Sequence, residues 1–444
     1  MTQRPRVAVA GAGLAGLAAG LALTRGGADV QLFERSRLLG GKVTSFAVDG
    51  IEVDNGQHVF LDCCTEFTDF VADAGMAGDL WLQRRFSVCV LGRDGAQSRL
   101  TAVPLPAPLH LMFGFAAYRH LTLSNKWRVA RALLAARSRG AARGDMAAWL
   151  AAHGQNQATR VAFWDPFLVP ALNAPLEDVS ADDGLFVIRT AFLAGRDAAR
   201  VGYLTTPLAR LADAAAARLE GVHLRTPITG IELRGDRVVA LIADGGARYE
   251  CDACVLAVPP RRLSAIVGQP ERYGVEGLDG FTTQPIVDVH LWYDRDVFTF
   301  DFAALLDSPV QWVFRKAHGY VCCSLSSADQ SVERPEHELV ALCDAELRRA
   351  LPALAHATLR RGAATRDPEA TFVARPGLRR PGNATTIDNL VIAGAWTDTG
   401  WPATMESAVR SGRSAAARLL ANHQRAPFTT RRDEPRVTEA VGAA

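Results

Sequence analysis

Apolar runs broken by glycine turns organise this chain, and its first forty-two residues carry the clearest case. Val7–Ala10 is an apolar run, and Gly11-Ala12-Gly13-Leu14-Ala15-Gly16 follows it at once. Small and apolar residues then recur at helical spacing from Leu17 to Thr24. A second apolar run, Val30–Phe33, ends at Glu34-Arg35. The order predicts strand, tight turn, helix and strand, the arrangement of a dinucleotide site. Gly11 permits the turn, Gly13 leaves backbone amides open to a pyrophosphate, and Gly16 lets helix and strand approach. Leu14 and Ala15 begin the helix, whose unpaired N–H groups and positive dipole end face the phosphates. Glu34 stands about 20 residues on, where a carboxylate accepts ribose hydroxyls and repels a 2′-phosphate, so FAD or NAD suits the site better than NADP. Gly40-Gly41-Lys42 adds a second close-approach backbone and a cation near the phosphates, which points to FAD.

Two later blocks have the same character. Residues 205–219 read as an amphipathic helix, with Thr206 as N-cap and Pro207 at the first helical position. Short strands are predicted at Val222–Arg225, Ile228–Leu233, Arg237–Ala243, Ala247–Cys251 and Val255–Val258, with Gly235-Asp236 and Gly245-Gly246 as turns. Further on, Asn389–Ala393 reads as a strand, Gly394 to Pro402 as a loop and Ala403 to Leu420 as a helix. A second glycine loop running into a helix N-terminus makes another anion or carbonyl site. The pattern predicts an α/β protein with a discontinuous Rossmann-type FAD-binding domain built from residues 1–75, 205–275 and 375–422. Residues 76–204 and 276–374 are expected to form a second, α+β domain for substrate and membrane contact, and 423–444 a disordered tail.

Composition narrows the class. Apolar residues make up 49% of the 444 positions and the net charge is +2, so the chain is globular and carries no general case for nucleic acid. The eight cysteines include adjacent pairs but no disulfide-rich or zinc spacing, which fits a reducing, cytoplasmic setting and no metal. Cys251-Asp252-Ala253-Cys254 opens an apolar run and reads as a buried strand with inward thiols. The amino-terminal apolar stretch is the glycine fingerprint and reads as no cleavable leader. No uninterrupted apolar stretch of about 18 residues is present, so no membrane-spanning helix is expected. One segment is unusual: between Asp94 and Asp145 there is no acidic residue, while Arg99, Arg119, Lys126, Arg128, Arg131, Arg137, Arg139 and Arg143 lie there. Beside them, Leu109, Leu111, Met112, Phe113 and Phe115 are apolar. Cations beside apolar side chains suit an anionic membrane surface, so peripheral contact at the inner face of the membrane is expected.

Taken together, the fingerprint, Gly-Gly-Lys and Gly394-Ala395-Trp396 running on to Gly412 resemble the flavin amine oxidase and carotene desaturase superfamily. Asp54-Asn55-Gly56-Gln57-His58-Val59-Phe60 is similar to a segment of plant-type carotene desaturases. Pro166 to Asn173 and Gln311-Trp312-Val313-Phe314 resemble the hydroxysqualene dehydroxylase subgroup, also labelled squalene-associated FAD-dependent desaturases. The resemblance implies that Gly11, Gly13, Leu14, Ala15, Gly16, Glu34, Arg35, Gly41 and Lys42 hold the ADP half of FAD. It places the backbone of Ile228 at the adenine and Gly56, Gln57 and His58 beside the isoalloxazine. Gly394, Thr404 and Met405 would meet the pyrophosphate and ring carbonyl. Ala395 stands where the superfamily usually has Asp, with Asp398 as a nearby substitute.

The subgroup implies a long-chain isoprenoid substrate of squalene and hopanoid biosynthesis, whose allylic hydroxyl is replaced by hydrogen through hydride from reduced flavin. Such a site needs a positioned acid, an apolar enclosure and aromatic faces. His58 is the first candidate acid and Asp165 the second; Trp164, Phe167, Trp292, Trp312, Phe314 and Trp401 are candidate aromatic faces. Two alternatives stay open: a desaturase or amine oxidase running hydride in the opposite direction, and a non-catalytic prenyl-lipid escort. Thr404 stands where an amine oxidase has Tyr, which weighs against that reading. The sequence specifies neither the electron donor nor the oligomeric state.

Overall fold

A computed structural model describes residues 4–48, 50–138, 140–425, 428 and 439–441. At its centre is a five-stranded parallel sheet in the order Gly221–His223, Asp29–Phe33, Arg6–Ala10, Ala253–Leu256, Leu390–Ile392. Its central strands are covered on both faces, which is why they read as continuous apolar runs. Val7 and Val9 face the helices Leu14–Arg25 and Met405–Arg425, whereas Ala8 and Ala10 face a core shared with Ile231 and Leu241. Those two residues belong to an antiparallel sheet built from Ile228–Arg234, Arg237–Ala243 and Arg248–Glu250. The helices Leu14–Arg25 and Met405–Arg425 meet backbone to backbone, because a Cβ on Gly412 would overlap the carbonyl of Ala15.

A seven-stranded sheet draws on both intervening stretches, in the order Leu359–Phe372, Thr283–Tyr293, Tyr320–Ser326, Trp312–Ala317, Phe302–Leu305, Ser87–Leu91, Gln97–Thr101. Alternation along Thr283–Tyr293 sends Val287, Val289, Leu291 and Tyr293 into a core with Leu339, Cys343 and Leu347 of the helix Glu336–Ala350. Asp288, His290 and Trp292 therefore lie on the opposite face. Helices between residues 109 and 193 pack over one face of this sheet, against Val88, Val90, Leu100 and Ala304. Two π-helical stretches, Arg160–Trp164 and Ile188–Leu193, occur there.

Several element boundaries differ from the sequence pattern for physical reasons. The helix expected over 205–219 is Ala209–Ala216, and Thr206 is not its cap: its hydroxyl is buried without a hydrogen-bond partner. Tertiary partners take that role, since Asp54 Oδ1 accepts from Leu208 N–H at 2.9 Å and Ser45 Oγ from Ala209 N–H at 3.0 Å. The last long helix starts at Met405 rather than Ala403, where the Thr404 hydroxyl accepts from Ser407 N–H at 3.2 Å, and it runs to Arg425. Most of the expected tail, 423–444, lies outside the described residues. Within it, 423–425 complete that helix and Glu439–Val441 pairs antiparallel with Ile231–Leu233.

Candidate functional site

The fingerprint forms a cradle at the carboxyl end of the central strand. Gly11 N–H donates to Phe33 O at 2.7 Å, and φ is +100° at Gly11, where a Cβ would overlap Ala257 O. A Cβ on Gly16 would overlap Gly11 O, so helix and turn touch through backbone alone. Gly13 is the exception, for a Cβ there would meet nothing within 4 Å. The one open position of the three faces the start of the helix Leu14–Arg25, where the first N–H groups lack intrahelical partners. Gly40 N–H donates to Ala12 O at 2.9 Å, which brings Gly41 against Gly13. The arrangement fits a pyrophosphate laid along the turn.

Glu34 is buried, and its carboxylate accepts from Ala12 N–H at 2.9 Å and Ser36 N–H at 2.8 Å. It braces the glycine turn, and each oxygen retains a lone pair for a ribose hydroxyl. Thr226 N–H donates to Glu34 O at 2.8 Å, which brings Ile228, the buried first residue of its strand, to the same corner. Arg35 is exposed beside it. Lys42 is already paired within the protein, to Asp367 at 2.9 Å and to the carbonyl of Glu369.

The second glycine loop is held from beneath by a residue that sequence reading missed. The Arg380 guanidinium donates to the carbonyls of Ala395, Trp396, Thr397 and Trp401, and burial pulls its pKa down. Gly394 N–H donates to Ser411 Oγ at 2.9 Å, and a Cβ at Gly394 would collide with the Trp396 indole. Asp398, the suggested substitute for the missing Asp at 395, is exposed and accepts from Gly400 N–H at 3.3 Å. Thr404 and Met405 start the following helix. Its buried Glu406 accepts from Phe67 N–H at 2.7 Å and so caps the helix Thr65–Asp73.

Gly56, Gln57 and His58 form a turn against the polar face of Thr283–Tyr293. A Cβ on Gly56 would stand 3.1 Å from Asp288 Oδ2 and 3.6 Å from His58 Cε1. Asp288 is buried and accepts hydrogen bonds from the Gln57 backbone and the Ser324 and Cys322 side chains; burial nonetheless pushes its pKa up to about 6. Lys316 turns to Gln57 Oε1 at 2.9 Å and Asp54 Oδ2 at 3.6 Å. His58 is half-buried, its Nδ1 is 3.2 Å from Gly56 O, and burial lowers its pKa. His290 is buried with Nδ1 2.8 Å from the Tyr320 hydroxyl and Nε2 without a hydrogen-bond partner, and burial lowers its pKa to about 4. Sequence reading missed Asp288, His290 and Lys316. The available signal was the period-two alternation of Val287 to Tyr293, with Asp and His on one face.

Asp165 is brought elsewhere. It opens the helix Asp165–Leu172 and pairs with Arg160 at 3.3 Å, and burial raises its pKa against that partner. The six candidate aromatics do not form one wall. Trp164, Phe167, Trp312 and Phe314 share a cluster with Phe163 and Phe192, side chains of the two π-helical stretches. Trp292 instead stacks on Tyr320 at 4.5 Å, and Trp401 meets Phe186 at 5.1 Å. The eight cysteines are free thiols; Cys251 and Cys254 are buried, and burial pushes Cys251 up to about 12.

Comparisons with known proteins agree with this geometry. The family model for flavin containing amine oxidoreductase matches residues 14–420. A hydroxysqualene dehydroxylase from Rhodopseudomonas palustris is 30% identical over 94% of this chain and 98% of its own length. A 15-cis-phytoene desaturase from Synechococcus elongatus is 26% identical over 94% of this chain and 96% of its own. Among solved structures, cyclohexylamine oxidase from Brevibacterium oxydans has the same fold, with a TM-score of 0.70 at 17% identity over 95% of this chain and all of that one. An amino-terminal glycine cradle, a distant second glycine loop and these similarities have one reading: the chain belongs to the flavin-containing amine oxidoreductase family and is an FAD-dependent oxidoreductase.

Proposed function

We propose that this oxidoreductase removes the allylic hydroxyl of hydroxysqualene reductively and yields squalene. The observation that carries the reading is the meeting of the two segments that resemble the squalene subgroup. Trp312 Nε1 donates to Pro166 O at 3.0 Å, and the Trp312 ring lies edge-on to Phe167 at 6.1 Å. Asn173 ends the first segment in the left-handed region, at φ +49°. Its Nδ2 donates to Gln284 O at 3.1 Å, and its Oδ1 accepts from Ser327 N–H at 2.7 Å. Gln311 starts the second segment and clasps Ser326 through both backbone groups. The result is an aromatic cluster anchored to the strand beside the one that carries Asp288. Such a cluster suits a hydrocarbon and offers ring faces to a cationic carbon.

When bound, reduced FAD supplies the hydride. Gly11, Gly13, Gly16, Gly41 and Glu34 would hold the ADP half, while Gly394 and the start of the Met405–Arg425 helix would meet the other end. The carbon–oxygen bond would break as the hydroxyl takes a proton and leaves as water, and the carbon would take the hydride that bound FAD supplies. The decisive experiment is anaerobic incubation of chemically reduced holoenzyme with hydroxysqualene, followed by lipid analysis. Squalene is expected. No squalene, with phytoene desaturated by the oxidised protein instead, overturns the reading.

A membrane-facing surface accompanies it. Leu123 and Trp127 are 74% and 71% exposed on the helix Leu123–Ala135, and Leu109, Met112 and Phe113 are exposed nearby. Lys126, Arg128 and Arg131 share that helix, and Arg139 lies outside the described residues. Among the described residues no helix is long and apolar enough to cross a membrane, so the surface is read as interfacial.

A further inference from the structure

The proposed reaction needs a proton at the leaving hydroxyl. We propose that the Asp288 carboxyl is its donor, on a polar sheet face shared with His290 and Tyr320. The inference rests on the reductive dehydroxylation reading and specifies its acid. Four observations converge on this carboxyl. It is 1% exposed, and its contacts are hydrogen bonds from the Gln57 backbone, Ser324 and Cys322, while the nearby cation, Lys316, is in contact with Gln57 and Asp54. It lies against Gly56, where a Cβ would crowd Oδ2 at 3.1 Å, so a side chain at 56 would push into the carboxyl. It sits on the seven-stranded sheet yet touches the turn that the family resemblance puts beside the flavin ring, so it stands at the junction of the two. His290, two residues along the same face, has a buried Nε2 without a partner, and an unpaired buried polar atom marks a place where a further polar group belongs.

The titratable and charged groups around Asp288 come from every neighbouring element. Asp54 ends the strand Ile51–Asp54, His58 belongs to the turn, Lys316 to Trp312–Ala317, and Tyr320 and Cys322 to Tyr320–Ser326. Asp367 comes from Leu359–Phe372 and His290 from the same strand as Asp288. A carboxyl poised at about 6 is protonated in a useful fraction near neutral pH, as a general acid requires. His58 is poorly suited, because burial favours its neutral form. In the step, the O–H bond of Asp288 breaks and its proton goes to the hydroxyl oxygen. The C–O bond breaks with its electron pair leaving on water, the carbon would take the hydride that bound reduced FAD supplies, and Asp288 remains as carboxylate.

The test compares wild type, Asp288→Asn and His58→Ala as FAD-loaded protein. Flavin absorbance checks loading. Anaerobic single-turnover oxidation of the reduced flavin by hydroxysqualene should fall at least about a hundredfold in Asp288→Asn. Oxidation by ferricyanide, which needs no proton donor of this kind, should not change. In wild type the hydroxysqualene rate should fall as pH rises through about 6. An infrared carbonyl band of a protonated carboxyl should titrate over the same range and be missing in Asp288→Asn, which reads the group without turnover. Asp288→Asn rates within threefold of wild type, or loss in His58→Ala alone, overturn the assignment. A wild-type protein that makes no squalene overturns the underlying reading, whereas a wild type that makes squalene no faster than Asp288→Asn overturns the acid assignment alone.

Discussion

The glycine cradle and the polar face of Thr283–Tyr293 meet near the Gly56–His58 turn but are built on opposite principles. The cradle works through missing side chains: Gly11, Gly16 and Gly412 let backbone meet backbone, and its buried carboxylate, Glu34, is fixed by one amide on each oxygen. The polar face works through side chains held in a dry place. Asp288 and His290 are buried, and each has been moved toward its neutral form by that burial. Binding a cofactor needs shape that does not vary with pH, whereas moving a proton needs a group whose charge is easily changed. The two regions should therefore fail differently when altered.

The largest effect is expected in the cradle. Gly16→Val would drive a branched side chain into Gly11 O, and the purified protein should carry almost no flavin, read as loss of visible absorbance. Arg380→Met comes next. It strips the donors from four loop carbonyls and should lower thermal stability on the order of 3 kcal/mol and release FAD more readily, measured by calorimetry and flavin fluorescence. Neither change should depend much on pH.

The polar face should show the reverse. The folded protein holds the Asp288 pKa above its unfolded value, so stability is lost as pH rises from about 4 to about 6 and stays lost above that. Asp288→Asn removes the penalty. It should be more stable than wild type by about 3 kcal/mol at pH 8 and equal to it near pH 3, as followed by denaturant midpoints. An equal difference at both pH values would mean that Asp288 carries no such ionisation cost. The smallest effect on the folded enzyme itself belongs to the exposed apolar surface. Phe113→Asp with Trp127→Asp should weaken co-sedimentation with anionic lipid vesicles by roughly 2–4 kcal/mol while leaving the flavin spectrum and thermal stability unchanged.

These contrasts also explain what the sequence could express. The cradle was legible because its constraints are local: three glycines, a strand before them and an acid after them lie within thirty residues. Arg237–Ala243 was legible to the residue, since glycine turns bound it on both sides. The helix after residue 204 was not, because its cap comes from Ser45 and Asp54, about 150 residues earlier. Asp288 was passed over for the same reason. Alternation along its strand looks like one face in water, but the Gly56–His58 turn, over 200 residues away, packs against its carboxyl. Arg380 has no motif at all; its meaning lies in carbonyls of a loop that the chain has not yet reached. Asp165 stands before Pro166, where an acid can merely start a turn, and its neighbour in space, Arg160, pairs with it.

The contact of Gly412 with Ala15 has a consequence for how the protein comes into being. The fingerprint helix Leu14–Arg25 leaves the ribosome well before the helix that packs on it, Met405–Arg425. Until residue 412 has been made, the nascent chain displays half a nest. Cofactor capture therefore waits for the second helix, and premature termination anywhere before residue 412 should leave a colourless product.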